Sequence, residues 1–78
     1  MKSMDHKTVV VQMMTGKTID IDIPVNISAK CLIAALYEAL KLPGDCPDFV
    51  RCENPIAMLQ GDAPVSYFGI RDGSILYF

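Results

Sequence analysis

Gly16, Lys17 and Thr18 match the end of a phosphate-binding loop, so the stretch around them could hold a nucleotide. The full loop has a second glycine five positions earlier and leads into a helix, because backbone N–H groups and the helix N-terminus hold the phosphates. Here the earlier position is Val11, and Ile alternates with Asp from residue 19 to residue 23. That period of two predicts a half-buried strand. We therefore interpret Gly16 as the positive-φ residue of a β-hairpin turn.

Three cysteines and one histidine are the side chains that would bind a transition metal most readily. Cys31, Cys46 and Cys52 are widely spaced, whereas zinc ligands usually come in pairs two to four residues apart. An odd number of cysteines also argues against a disulfide framework. We therefore expect reduced thiols, no metal and no cofactor, with His6 a fourth ligand only by coincidence.

Acid–base catalysis would need a histidine or carboxylate positioned in a cleft. His6 lies near the N-terminus, and Asp20 and Asp22 alternate with isoleucines, so they belong to the solvated face of a strand. Asp45 and Asp48 lie in a polar stretch. Because no nucleophile–base pair emerges, the sequence predicts a protein that is not an enzyme.

The size and charge of the chain limit the kinds of partner it can have. Its 78 residues suit one small domain, which we expect over residues 8–78 after a flexible N-terminus of residues 1–7. A net charge of −2 argues against nucleic acid as a partner. No apolar run is long enough for a membrane span or a secretion signal. We expect a cytoplasmic protein without direct membrane insertion, which a partner could hold at the inner face of the membrane.

The order of predicted elements indicates the architecture. A hairpin of two strands, residues 8–14 and 18–23, ends at Pro24, which has no N–H for pairing. Ser28 then caps a helix whose apolar stripe is Leu32, Leu36 and Leu40. Short strands follow at residues 49–53, 57–60 and 74–78, with a compact connection over residues 65–70. A hairpin, one helix and a return to the sheet predict an α+β β-grasp domain: a mixed four- to five-stranded sheet packed on one helix, with the last strand beside the first.

Two segments of the chain resemble ubiquitin. The first, VVVQMMTGKTIDIDI, is similar to its opening hairpin, and VSYFGIRDGSILYF is similar to its closing segment. Residues 49–78 more closely resemble the YukD/EsaB family, the small ubiquitin-like proteins of type VII (WXG100) secretion systems. The points of similarity are Phe49-Val50-Arg51, Asn54, Gly61, Val65-Ser66, Gly69-Ile70, Gly73 and Leu76. With the hairpin and helix included, the resemblance covers residues 8–78.

This resemblance implies an accessory or regulatory component of a type VII secretion machine that acts by noncovalent contact. Conjugated ubiquitin-like proteins and sulfur carriers end in a slim diglycine tail, whereas this sequence ends at Phe78. We therefore expect no conjugation. A sulfur-carrier or protein-modifier role and a generic ubiquitin-like adaptor remain the alternatives, and a homodimer remains open.

In ubiquitin-like folds the helix covers one face of the sheet and leaves the other face open. Strand alternation predicts that the open face carries seven candidate binding residues: Val10, Gln12, Phe49, Arg51, Glu53, Ile75 and Tyr77. Phe, Tyr and Arg are enriched at interface centres, although isolated exposed apolar residues are also ordinary. Glu53 falls where ubiquitin has an apolar residue in its binding patch, so we do not expect binding to the receptors of ubiquitin.

Overall fold

The computed structural model describes residues 6–78, which form one sheet, one α-helix and one short 3-10 helix. The strands are β1 (His6–Gln12), β2 (Thr18–Pro24), β3 (Phe49–Glu53), β4 (Ala57–Gln60) and β5 (Ile75–Tyr77). The helix α1 spans Ala29–Ala39, and the 3-10 helix spans Val65–Phe68. Every predicted element is therefore present.

The five strands form one mixed sheet in the order β2-β1-β5-β3-β4. β1 and β5 are parallel, and the other neighbours are antiparallel. The last strand lies beside the first, as predicted, and β2 and β4 form the two edges of the sheet. This arrangement confirms the predicted two-layer α+β domain.

The first hairpin extends further towards the N-terminus than we predicted. His6 faces Pro24 and Lys7 faces Ile23, so β1 begins two residues before the predicted strand at residues 8–14, inside the segment that we expected to be flexible. Pro24 is the last residue of β2 and is itself part of the pairing with β1, so the pairing does not end before the proline. A proline is tolerated there because β2 is an edge strand, which needs no hydrogen bond on its outer side. Residues 1–5 lie outside the described part of the chain.

The hairpin turn begins earlier than predicted. β1 ends at Gln12, because the Met13 N–H already donates to the Lys17 carbonyl at 2.8 Å and the Gly16 N–H donates to the Met13 carbonyl at 2.9 Å. Gly16 has φ of 92°, as the hairpin interpretation requires. Glycine reaches this left-handed region without steric cost.

The helix begins and packs as its sequence indicates. The Ser28 side chain accepts a hydrogen bond from the Cys31 N–H at 3.1 Å, which caps the first turn. Leu32 and Leu36 are buried with Ala29 and Ile33 against the sheet. The helix ends at Ala39, slightly before the predicted Leu42-Pro43-Gly44, and Leu40 is its half-buried C-cap.

The core lies between α1 and one face of the sheet. β1 contributes Val9 and Val11, β3 contributes Val50 and Cys52, and each of these side chains is at most 3% exposed. The remaining buried apolar residues are Ile23, Val25, Ala29, Leu32, Ile33, Leu36, Leu59, Val65, Ile70 and Leu76. Since inward residues alternate along each strand, the residues between them lie on the face away from α1.

β5 is shorter than the predicted strand at residues 74–78. Ser74 precedes the strand, and its side chain is fully buried. Its hydroxyl donates to the Asn54 carbonyl at 2.5 Å and accepts from the Arg71 N–H at 3.0 Å. These bonds satisfy the buried hydroxyl and join the start of β5 to the turn that follows β3.

Candidate protein-binding face

The side of the sheet that faces away from α1 is called the open face below. Residues directly opposite each other on neighbouring strands point to the same face. One cross-strand row therefore spans the whole sheet, from β2 to β4: Thr18, Gln12, Tyr77, Arg51 and Met58. A second row runs from β2 to β3: Asp20, Val10, Ile75 and Glu53.

All seven predicted candidate residues lie on the open face. Gln12, Tyr77 and Arg51 occupy the first row, Val10, Ile75 and Glu53 occupy the second, and Phe49 faces Gln60 at the other end of β3. Phe49, Arg51 and Glu53 are exposed, whereas Val10, Gln12, Ile75 and Tyr77 are half-buried. The residues that strand alternation predicted thus form one continuous surface. The role of this surface in binding stays a prediction.

Two residues of β4 belong to this surface and were missed by sequence reasoning. Met58 faces Arg51, Gln60 faces Phe49, and Met58 is 40% exposed. The signal was present, because Leu59 is buried and its neighbours must point to the other face. The strand was predicted but its two faces were not assigned.

Three side chains near the centre of the open face form a connected polar cluster. The Arg51 guanidinium lies over the Tyr77 ring, with Cζ 4.7 Å from the ring centroid. The Tyr77 hydroxyl donates a hydrogen bond to Glu53 Oε1. This bond, with smaller contributions from desolvation and the Glu53 charge, raises the pKa of Tyr77, while the Arg51 charge opposes it. The Tyr77 side chain is therefore held at both its ring and its hydroxyl.

The open face combines apolar and polar groups in the way that protein interfaces do. Phe49 is 52% exposed, so a partner could remove much of its surface from water. The half-buried Val10 and Ile75 lie opposite each other on β1 and β5 and add apolar surface to this face. Aromatic and Arg side chains supply a large share of binding energy when a partner desolvates them. This chemistry suits the noncovalent binding of a protein.

The cysteines are not arranged as a metal site. Cys31 and Cys46 are exposed, whereas Cys52 is buried in the core. The Cys52 thiol donates to the Ala57 carbonyl at 3.3 Å, and burial raises the pKa of this thiol. Within residues 6–78, no three metal-ligating side chains come together in a group that could hold an ion.

Comparison with solved structures places this architecture among known folds. A designed protein based on ubiquitin superposes with a TM-score of 0.68 at 16% identity, covering 96% of this chain and 88% of that one. The fold is a ubiquitin-like β-grasp. The C-terminal ubiquitin-like domain of mouse tubulin-specific chaperone e gives a TM-score of 0.69 at 15% identity, with coverage of 97% and 87%. The C-terminal ubiquitin-like domain of the human 2'-5'-oligoadenylate synthetase-like protein gives 0.66 at 20% identity, with coverage of 97% and 86%.

These likenesses concern the fold, since all three identities are low. No model of a protein family matches the chain, and no curated protein matches it in sequence. Among the described residues, no helix has the length and apolar character needed to cross a membrane. The ubiquitin-like module therefore has to be interpreted from its own surface.

Proposed function

We propose that this ubiquitin-like module is not an enzyme and acts by binding a protein partner noncovalently through its open face. The observation that supports this most is the cluster of Arg51, Tyr77 and Glu53 beside the exposed ring of Phe49. Tyr77 is already held by its two neighbours, so its side chain loses little entropy when a partner packs on its ring. A preorganised aromatic surface of this kind suits recognition.

We further propose that the partner belongs to a type VII secretion machine, in which this module would be an accessory or regulatory subunit. The support is the resemblance of residues 49–78 to the YukD/EsaB family, together with the ubiquitin-like fold. The module would act in the cytoplasm, where a partner could bring it to the inner face of the membrane. Genes for WXG100 substrates and an FtsK-like ATPase beside this gene would support the proposal.

The decisive experiment separates binding from folding. A variant with Phe49→Ala and Tyr77→Ala removes both aromatic rings from the open face, and neither ring belongs to the buried core. We expect its melting temperature to lie within a few degrees of the parent. We also expect binding to the captured partner to weaken by about 2 kcal/mol or more, as truncated aromatic anchors often do.

The matched control is Tyr67→Ala, because Tyr67 is an aromatic residue that lies in the 3-10 helix and is 76% exposed. Its loss should leave partner binding unchanged. The partner would be isolated by affinity capture from cells that express the secretion machine, and affinities would then be measured with purified proteins. Arg51→Ala should slow association if Arg51 lies at the rim of the interface, and speed dissociation if it is central.

Two results would contradict the proposal. If the folded double variant keeps full binding and secretion activity, the functional surface lies elsewhere, and the exposed side of α1 around Lys30, Glu38 and Lys41 becomes the next candidate. A C-terminal thiocarboxylate or an isopeptide adduct, detected by mass spectrometry of protein from cells, would instead support sulfur-carrier or modifier chemistry.

A further inference from the structure

The two edges of the sheet differ in how they are protected against pairing with another chain. β2 carries the exposed carboxylates of Asp20 and Asp22 and ends in Pro24. Charges and prolines on an edge strand are the usual devices that prevent edge-to-edge association. β4, Ala57–Gln60, has neither a charged residue nor a proline. Only the β4 edge therefore lacks this protection.

The outer side of β4 also has no backbone partner within residues 6–78. Beyond the ladder with β3, none of the hydrogen bonds between backbone groups involves residues 57–60. The nearby 3-10 helix contacts β4, but its first N–H groups bond elsewhere, Val65 to the Ile27 carbonyl and Ser66 to the Val25 carbonyl. Ile56, just before β4, is 86% exposed. Within residues 6–78, the outer N–H and C=O groups of β4 therefore have no backbone partner and lie next to apolar side chains.

We propose that two copies of this chain associate through their β4 edges and form one continuous antiparallel sheet. A two-fold axis perpendicular to the sheet relates the copies, so both helices lie on one side and both open faces on the other. Such self-pairing at β2 would bring Asp20 and Asp22 near the same carboxylates of the second copy, which costs stability. At β4 it brings together only uncharged side chains.

Face alternation restricts the register of this pairing. Residues that face each other across an antiparallel pair must point to the same side. Met58 lies on the open face and Leu59 in the core, so Met58 of one copy cannot face Leu59 of the other. We propose the register that places Met58 opposite Met58 and Ala57 opposite Leu59, which satisfies this rule and includes three of the four residues of β4. A four-residue strand makes a small contact, so we expect a weak, reversible dimer.

The test uses charge at position 58 and a matched site on the other edge. Met58→Lys places two like charges opposite each other at the two-fold axis, and the partly exposed side chain can extend into water. Thr18→Lys is the control, because Thr18 is exposed in the same cross-strand row of the open face but lies on β2. Sedimentation velocity from micromolar to millimolar concentration measures self-association. A reducing agent excludes disulfides through the exposed Cys31 and Cys46.

We expect the parent and the Thr18→Lys variant to dimerise with similar affinity and the Met58→Lys variant to dimerise at least tenfold more weakly. An equimolar mixture of the Met58→Lys and Met58→Glu variants should restore the dimer, because opposite charges then meet at the axis. A parent that stays monomeric at every concentration overturns the proposal, as does equal weakening by Thr18→Lys. Failure of the mixture to associate overturns the Met58 register. Because the sedimentation experiment contains no partner protein, its results do not depend on whether the proposed function is correct.

Discussion

Ser74 provides a stringent test of how the sheet is held together, because it is a fully buried polar side chain. Its hydroxyl links two segments that the Arg71 and Asn54 side chains also join, donating to the Asn54 carbonyl at 2.5 Å and accepting from the Arg71 N–H at 3.0 Å. The perturbation is Ser74→Ala, which removes the hydroxyl and little volume. Both backbone partners then lose their hydrogen bond.

The magnitude follows from what happens to those two groups. A typical hydrogen bond contributes about 0.5–1.5 kcal/mol net, and a buried group left without a partner costs about 1–3 kcal/mol. Asn54 and Arg71 are exposed residues, so water can reach part of the space around their backbone groups. This access to water favours, for each lost hydrogen bond, the net cost of about 0.5–1.5 kcal/mol over the higher cost of a buried group without a partner. We therefore expect Ser74→Ala to lower the free energy of unfolding by about 1–3 kcal/mol, a large share for so small a domain.

The assay is urea denaturation followed by far-ultraviolet circular dichroism, since the chain has no tryptophan. The control is Ser66→Ala, because Ser66 is exposed and its backbone N–H bond to Val25 does not need the side chain. It should change the stability by less than about 0.5 kcal/mol, as surface substitutions usually do. If Ser74→Ala is equally mild, the two hydrogen bonds of Ser74 do not hold β5 in place and the reasoning is wrong.

Three further predictions concern the turn, the core and the open face. Gly16→Val should destabilise the fold by about 1–2 kcal/mol, because a β-branched residue is strained at φ of 92°. If calorimetry detected ATP binding to the parent and none to Lys17→Ala, the hairpin interpretation would be contradicted. Leu36→Ala should cost about 2–5 kcal/mol in chemical denaturation, because Leu36 is 4% exposed in the core; a loss below about 1 kcal/mol would refute its packing role. Glu53→Ala, which removes the acceptor, should lower the pKa of Tyr77 towards its ordinary value of 10.0, measured by NMR titration of the ring. Because folding raises this pKa, the Glu53 bond should stabilise the parent below about pH 10 and lose its effect as the pH rises further; an unchanged pKa would refute the bond.

Local patterns explain why so much of the fold could be predicted. The hairpin follows from Ile–Asp alternation and a glycine turn, and the helix follows from Ser28 and a leucine stripe. Each of these signals is contained in a few neighbouring residues, so no tertiary information is needed to interpret it. The placement of Phe49 and Tyr77 on the open face followed from the same alternation.

Several of the errors and omissions depend on contacts between distant residues. His6 joins β1 because Pro24 lies opposite it, and no local signal around His6 indicates that pairing. The bond from Tyr77 to Glu53 joins residues 24 positions apart. The bond from the Ser74 hydroxyl to the Asn54 carbonyl joins residues 20 positions apart. Sequence periodicity assigns residues to faces, whereas these interactions require the register of neighbouring strands.

The open face and the β4 edge meet at Met58, which belongs to both surfaces. In the proposed dimer the two open faces point in the same direction, so a partner with two binding segments could contact both copies. The second contact would then be intramolecular and would gain from a high effective concentration. By linkage, such a partner must also strengthen the dimer by the same factor that the dimer strengthens its binding. Met58→Lys should therefore weaken the binding of a bivalent partner much more than the binding of a single isolated segment. Phe49→Ala with Tyr77→Ala should weaken the binding of both.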